Sequence, residues 1–347
     1  MTIGFGVIGC GMIARFHAQA LAEIEGAELV ACHSRNPESA QKFADQFGCT
    51  AYEQLEAMLA DARVQVVTIC TPSGAHLEPC LAAAQAGKHV IVEKPLEVTV
   101  DRCDQMIQAC EQAGVQLATI FPSRFHESSQ AMKRAVEAGR FGKLALGDAY
   151  VKWYRTQEYY DSGAWRGTWQ LDGGGALMNQ AIHSVDLLLW LMGSVQEVMA
   201  HTATVAHERI EVEDVATASL RFANGALGVI EATTAAYPGS LKKIELSGSH
   251  GTAILEEEDI IKWEFANETA EDEAFRKAMI GKTKTGGGAA DPAAIGHHGH
   301  AALFRDFLAA LQEGRPPLID GYEGRRSVEL ICAVYQSAQS GQKVRLA

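Results

Sequence analysis

The chain has 347 residues, 47% hydrophobic and 21% charged, with 30 Lys+Arg against 43 Asp+Glu and a formal net charge of -13. That length suits two globular domains, and the acidic balance disfavours nucleic acid and anionic membrane surfaces as partners. No apolar run reaches the length that a bilayer-spanning helix needs.

The first element is the strand Ile3–Ile8, which runs straight into a Gly9-Cys10-Gly11 turn and a helical stretch over Met12–Ile24. The chain enters this strand at once, so no cleavable leader is expected. Strand, G-x-G-x-x-A turn and helix in this order are the context of a dinucleotide-binding turn. Gly9 makes the sharp bend, Gly11 lets backbone approach a pyrophosphate, and Ala14 lets the helix pack on the strand. Met12 and Ile13 then open a helix whose free N–H groups and positive dipole end face the phosphates. Glu28–Arg35, Val64–Pro72, His89–Pro95 and Val115–Phe121 read as further strands. Pro37–Phe47, Tyr52–Ala60, His76–Ala86 and Val100–Ala113 read as the helices between them. Apolar strands alternating with helices predict a parallel sheet covered on both faces. Ligands bind beyond the carboxyl ends of such strands, so Gly9, Ser34, Thr71 and Glu93 are expected along one crevice.

After Phe121 the period changes. A helix over Ser128–Gly139 precedes seven strand patterns, at 144–155, 195–207, 214–223, 225–236, 242–250, 251–258 and 260–266. Asn224-Gly225 and Ser247-Gly248 are turn signals between them, and local connections of this kind suit a mostly antiparallel, open sheet. One helical segment, Gly175–Gly193, interrupts the strands. Gly281–Gly299 reads as a glycine-rich surface loop, and helices over His300–Glu313 and Tyr322–Ser340 close the chain. The predicted architecture is α/β. A dinucleotide-binding domain spans 1–121, and an α/β substrate-binding and oligomerisation domain spans 122–347. The last helices are allowed to pack back on the first domain, and the exposed face of the second sheet predicts a homodimer or homotetramer. Eight scattered cysteines without C-x-x-C spacing read as small buried thiols in a reducing, cytoplasmic setting.

Two segments carry the chemistry. In Glu93-Lys94-Pro95, Pro95 stiffens a strand end and holds Lys94 extended. Lys94 is then either a partly buried lysine that holds a substrate hydroxyl or a surface lysine beside an edge strand. In Asp172–Asp186, Gly173, Gly174 and Gly175 permit close approach of backbone to a ligand before a helix. Asn179, His183 and Asp186 share one face of that helix at i, i+4 and i+7. His183 is either the proton acceptor for alcohol oxidation or a satisfied core histidine. Asp186 either orients it or serves local structure. The aromatic loop Trp153–Trp169, with Arg155, Trp165 and Arg166, offers ring faces and guanidinium forks to a sugar, or a patch to a neighbouring subunit. His297, His298 and His300 have no carboxylate at ligand spacing nearby and read as non-metal, with His300 at the edge of the substrate pocket. The second strand ends in His33-Ser34-Arg35-Asn36 rather than in an acid, so Ser34 and Arg35 favour NADP, with NAD as the other choice.

The turn GCGMIA, the loop TPSGAH (Thr71–His76), EKP, the GGG-x-x-x-N-x-x-x-H-x-x-D segment and the closing GYEGRRSVELICAVYQSAQSG together resemble the glucose-fructose oxidoreductase / inositol dehydrogenase / MocA (Gfo/Idh/MocA) family over essentially the whole chain. The resemblance implies a Rossmann domain and an α/β domain whose open sheet mediates oligomers. It implies hydride transfer between NAD(P) and a secondary hydroxyl of a sugar, sugar derivative or cyclitol. Lys94 and His183 match the family's catalytic lysine and histidine. Many members carry Asp where this chain has Asn179; an amide is no base, so proton transfer falls to His183 and Asn179 becomes a hydroxyl-binding group. Arg155, Trp165 and Arg166 complete the expected substrate contacts. Gly9, Gly11, Met12, Ile13, Ser34, Arg35, Thr71, Pro72, His76, Glu93 and Lys94 form the expected cofactor contacts. The same residues fit two other activities, a redox-assisted glycoside cleavage with NAD retained and a non-catalytic dinucleotide sensor.

Overall fold

A computed structural model describes residues 2–283, 288–289 and 296–346. The chain divides into two compact units, each assembled from three stretches. Unit 1 comprises Met1–Pro122, Gln170–Gly173 and Gly296–Val328; unit 2 comprises Ser123–Trp169, Gly174–Ile295 and Glu329–Ala347. The chain therefore passes between the units more often than a single boundary after residue 121 would have it.

Unit 1 is built on strands β1 (Ile3–Ile8), β2 (Ala27–His33), β3 (Thr50–Tyr52), β4 (Val66–Ile69), β5 (His89–Val92) and β6 (Leu117–Thr119). They form one six-stranded sheet in the order β3-β2-β1-β4-β5-β6, with every pairing parallel. This is the Rossmann strand order, with its reversal point between β1 and β4. Helices α1 (Met12–Ala22), α2 (Pro37–Phe47), α3 (Leu55–Ala60), α4 (Leu77–Gln85) and α5 (Val100–Ala113) make the crossovers. The strands are buried on both faces, as their apolar runs require: Phe5, Val7, Val66, Val67, Val90, Ile91 and Val92 are fully enclosed. Where caps are strong, boundaries fall where the residues put them. The Asn36 side chain accepts the N–H groups of Glu38 and Ser39, and Gly48 ends α2 in the left-handed conformation. Thr99 and Gly114 bracket α5 in the same way.

Unit 2 contains α6 (Glu127–Glu137), β7 (Leu144–Lys152), α7 (Gln157–Asp161), a π-helical turn at Ala176–Ala181, α8 (Ile182–Met192), β8 (Val195–Ala203), β9 (Val215–Phe222), β10 (Leu227–Thr233), β11 (Lys243–Gly248), β12 (Gly251–Glu256), β13 (Asp259–Phe265) and α9 (Ala270–Ala278). Helix α10 (His298–Glu313) belongs to unit 1, while α11 (Gly321–Ser340) is divided between the units and leads to β14 (Val344–Arg345). The second sheet runs β13-β12-β11-β7-β10-β9-β8-β14. It is antiparallel except where β7 pairs β10. Strand alternation is strict: Gly147, Ala149 and Val151 of β7 point inward, with Ala216, Ala218 and Leu220 of β9, while Leu146 and Leu227 sit opposite each other on the outer face. The inner face is covered by α8, which packs on β7 and β11. The glycine-rich loop expected at 281–299 is only partly described: 284–287 and 290–295 lie outside the described residues, and α10 already begins at His298.

Helix α8 is buried nearly all round, and its one acid is paired. Asp186 is fully buried and receives Arg124 Nε at 2.9 Å and Nη2 at 2.6 Å. Arg124 is itself 1% exposed and lies over the Trp190 ring. Removing one partner of such a pair costs about 3–5 kcal/mol, because the other charge stays buried. Arg124→Met should therefore lower unfolding free energy in urea by that order, and Arg124→Met/Asp186→Leu should lower it by less than either single change.

Candidate functional site

In unit 1 the carboxyl ends of β2, β1, β4 and β5 follow one another along one edge of the sheet. Gly9 N–H donates to His33 O, Cys70 N–H to Ile8 O and Glu93 N–H to Ile69 O. Ser34, Gly9, Thr71 and Glu93 therefore occupy adjacent strand ends. Gly9 has φ +93, and a Cβ there would lie 2.8 Å from Cys70 O, so both its conformation and its neighbour exclude a side chain. Gly11 differs. Its φ is -83, no side chain caps α1 there, and an added Cβ would meet nothing within 4 Å. The turn leaves open space in front of uncapped helix N–H groups, which is what a pyrophosphate needs. Met12 is 48% exposed beside it, and Ala14 is fully buried against β1.

Several residues expected to touch the cofactor are held by the protein instead. His76 is 1% exposed. Its Nδ1 lies 3.0 Å from Pro95 O and its Nε2 3.0 Å from Thr71 O. The ring thereby ties the loop after β4 to the segment after Lys94, a bracing role. The Thr71 hydroxyl donates to Ala75 O at 2.9 Å and closes the short 3₁₀ turn over Ser73–Ala75; Pro72 precedes that turn and is half-buried. The Glu93 carboxylate is also turned inward, 2.7 Å from His17 Nε2, and is 6% exposed. Burial opposes its charge, yet hydrogen bonds and charge from His17 and His300 hold it well below the usual carboxylate range. Burial also pushes the His17 imidazole down. Lys94 is half-buried and is joined to Pro95 by a cis peptide bond. Ser34 Oγ accepts the Asn36 N–H at 3.3 Å, ahead of α2, and Arg35 is exposed.

The histidines of the glycine-rich region do meet carboxylates, which sequence distance concealed. His297 Nε2 lies 2.7 Å from Glu23. His17, Glu93 and His300 form one buried group whose ligand atoms are within 4.8 Å of one another, and Glu23, His297 and His298 form an exposed one. His300, expected at a pocket edge, is 3% exposed and packs its ring against His17.

In unit 2, Gly174 and Gly175 are required by packing. A Cβ on Gly174 would lie 2.1 Å from Tyr335 Oη, and one on Gly175 would meet the Glu213 carbonyl. Glu213 fastens the turn that follows: its carboxylate accepts Gly175 N–H at 2.9 Å, Leu177 N–H at 2.8 Å and Tyr335 O–H at 3.0 Å. Burial pushes that carboxyl up to about 7 against those bonds. The tethered backbone winds as a π turn before α8 begins, so Asn179 precedes His183 by a wider turn than the α-helical i, i+4 spacing supposes. Asn179 and His183 are both half-buried.

Asn179 belongs to a network that also holds three other expected substrate residues. Asn179 Oδ1 accepts Gln180 Nε2 at 2.9 Å, and Gln180 Oε1 accepts Arg155 Nη2 at 2.8 Å. Tyr159 Oη accepts Gln180 Nε2 at 3.0 Å and Arg166 Nη1 at 2.6 Å. The Arg166 guanidinium lies over the rings of Tyr159 and Trp165, 4.2 and 4.5 Å from their centroids. Arg155 corrects its expectation. It is 2% exposed, and its guanidinium donates to Gly288 O, Ala289 O and Tyr154 O besides Gln180. It is an internal brace, whereas Arg166 and Trp165 remain half-buried. Gln180 and Tyr159 were missed; a glutamine inside an apolar helical run was the available signal.

Residues 3–121 match the family described as oxidoreductase family, NAD-binding Rossmann fold, and residues 129–254 match the GFO/IDH/MocA C-terminal domain. The WlbA dehydrogenase from Bordetella pertussis, solved in complex with NADH and UDP-GlcNAcA, is 37% identical with TM-score 0.89, covering 100% of this chain and 99% of that one. The myo-inositol 2-dehydrogenase of Thermotoga maritima is 28% identical over 98% of both chains. The levoglucosan dehydrogenase of Pseudarthrobacter phenanthrenivorans is 27% identical over 93% of both.

The two glycines of the turn make opposite predictions. The Cβ of Gly11→Val meets no protein atom within 4 Å and no forbidden φ, so its melting temperature should match the parent while NADH affinity in calorimetry falls at least about tenfold. Gly9→Ala should lose stability by about 1 kcal/mol or more. Parent-like NADH binding by a folded Gly11→Val would remove the turn from the cofactor site.

Proposed function

The chain belongs to the Gfo/Idh/MocA oxidoreductase family, and on that basis we propose that it transfers hydride between NAD(P) and a secondary hydroxyl of a sugar derivative, with Lys94 and His183 as its catalytic pair. The observation that carries this reading is the order of built segments. An open glycine turn and a braced Glu93-Lys94-Pro95 edge lie in unit 1, and a tethered turn bearing Asn179 and His183 lies in unit 2. A nucleotide-linked sugar acid is the substrate class we favour. The full-length similarity to WlbA supports it, and so does Arg166, a guanidinium stacked on two aromatic rings and half open to solvent. The cyclitol and anhydrosugar dehydrogenases among the relatives keep free sugars and inositols in the same test.

When bound, the nicotinamide supplies the hydride acceptor. The His183 imidazole takes the hydroxyl proton as the carbinol carbon is oxidised. The Lys94 ammonium donates a hydrogen bond to the same oxygen and holds it in place. Asn179, oriented through Gln180, binds a neighbouring hydroxyl. The NAD-binding domain ends β2 without an acid, and Arg35 is exposed there beside Ser34, which supports NADP(H) binding as well as NAD(H). A cytoplasmic location and a homodimer or homotetramer complete the reading. The outer sheet face supports the oligomer, with Leu146 and Leu227 each 46% exposed as cross-strand neighbours.

The experiment is a screen of UDP-GlcNAcA, uronic acids, inositols and levoglucosan with NAD and NADP, following reduced-cofactor absorbance. Lys94→Ala and His183→Ala should each lower kcat by roughly 10²–10⁴ with NADH affinity little changed. The double variant should be scarcely slower than either single one. The ascending limb of the kcat/KM pH profile should vanish in His183→Ala. Normal turnover in either single variant would sink the assignment; product release without net reduced cofactor would turn it to redox-assisted cleavage.

Cofactor choice has its own check. Arg35→Ala should weaken NADPH roughly 10–100-fold, the scale of a hydrogen bond to a charged group, and leave NADH unchanged. Equal losses for both would give the cofactor choice to other residues.

A further inference from the structure

We propose that the buried group His17–Glu93–His300 is a positioning device for Lys94, a proposal that rests on the reading of Lys94 given above. Glu93 is placed to do this because it uses its two oxygens in different directions. Oε2 accepts the backbone N–H of Lys94 at 3.1 Å. Oε1 faces inward, 2.7 Å from His17 Nε2 and 3.6 Å from His300 Nε2. All three residues are under a tenth exposed. His17 comes from α1, the helix that starts at the Gly9–Gly11 turn, and His300 comes from α10. One carboxylate thus connects the helix of the dinucleotide turn, the end of β5 and a helix nearly three hundred residues from the first.

The rest of the surroundings fix the ring of His17. Its Nδ1 lies 2.8 Å from Thr68 Oγ1 on β4 and 3.3 Å from Cys70 Sγ just beyond it. The edge of Phe304 from α10 packs on it with centroids 5.3 Å apart. A Thr68 hydroxyl donating to Nδ1 leaves Nε2–H to donate to Glu93, which selects one tautomer. The titratable groups facing Glu93 are therefore His17 from α1, Cys70 after β4 and His300 from α10. Burial and the histidines act on one another consistently. Burial pushes the His17 imidazole down, while the donors around Glu93 hold its carboxyl below the usual carboxylate range against its own burial. The spacing is that of a hydrogen bond. Two ligands sharing a zinc ion at about 2.1 Å in tetrahedral geometry would stand about 3.3 Å or more apart, not at the 2.7 Å of His17 and Glu93.

A fixed negative charge one residue from Lys94, bonded to that residue's own backbone, sets both where the side chain starts and how readily it holds its proton. Glu93→Gln keeps the shape and removes the charge. It should shift the protonation of Lys94 to lower pH while leaving the dinucleotide turn intact.

The test is competitive acetylation of the full-length protein with acetic anhydride across a pH series, read lysine by lysine in mass spectra, so that it needs no substrate. In Glu93→Gln the Lys94 labelling midpoint should fall by about half a pH unit or more. Lys42 and Lys152 should keep theirs, and NADH affinity should stay within about threefold. Glu93→Ala, which also removes the charge, should shift the midpoint in the same direction and serves if Glu93→Gln does not fold. Once a turnover assay is in hand, Glu93→Gln should lower kcat more than it raises KM, and should add nothing to Lys94→Ala. An unmoved Lys94 midpoint in a folded Glu93→Gln or Glu93→Ala overturns the proposal. Full turnover by Lys94→Ala with the midpoint shift intact would instead overturn the role given to Lys94, and the two failures are distinguishable.

Discussion

A carboxylate taken out of water costs several kcal/mol unless donors surround it, and this constraint shapes each segment on which the chemistry is read. In unit 1 Glu93 ends β5 inside the protein, so His17 and His300 must be brought to it from helices at opposite ends of the chain. In unit 2 Glu213 sits inside the glycine turn, so Gly175, Leu177 and Tyr335 must all present donors there. Asp186 commits Arg124, and Asp214 gathers the N–H groups of Val205, Ala206 and His207. Each acid converts a requirement for satisfaction into a fixed backbone position. The functional segments inherit that fixity.

The fold was readable where signals are local. Strand Ile3–Ile8 and helices Pro37–Phe47 and Val100–Ala113 fall at the residues their patterns predict, because a tight turn or a cap side chain lies within three positions. Strands such as Val66–Ile69 are shorter than their apolar run, since pairing rather than hydrophobicity ends a ladder. Of Thr50–Tyr52 only Tyr52 is assigned, to a helix pattern, because three residues with none buried have no period to show, and the segment is a strand only through its pairing with β2. Helix α9 carried a capping box, Thr269 with Asp272, that an acidic stretch disguised. The π turn had no local signal. It depends on Glu213 and Tyr335, which lie 36 and 157 positions from the backbone N–H groups they hold.

The candidate site is picked from sequence by residue type, and the role of each side chain is less legible. Glycine, lysine and histidine positions can be picked from sequence because few other residues supply their conformations or their protons. What a long or bifunctional side chain does cannot. Arg155 has the same fork as Arg166, yet it reaches carbonyls 133 and 134 residues away, while Arg166 stacks on Tyr159 and Trp165 within its own loop. His76 was read as facing a ligand, and two carbonyls 19 residues downstream or five upstream fill its ring nitrogens instead. In both cases the deciding partner is a backbone carbonyl, the group that sequence says least about.

Asn179 is where sequence and structure together say most. Its Oδ1 accepts a hydrogen bond from Gln180, and Gln180 is held in turn by Arg155 and Tyr159. A carboxylate oxygen would accept the same Gln180 proton, so that one hydrogen bond does not demand an amide. An Asn in place of the Asp that the family resemblance leads one to expect has a chemical consequence. An amide in that position keeps the same geometry, adds no charge beside a buried guanidinium already satisfied by carbonyls, and cannot take a proton. On the reading proposed above, proton transfer then falls to a single group on this segment, the imidazole of His183 at the start of α8.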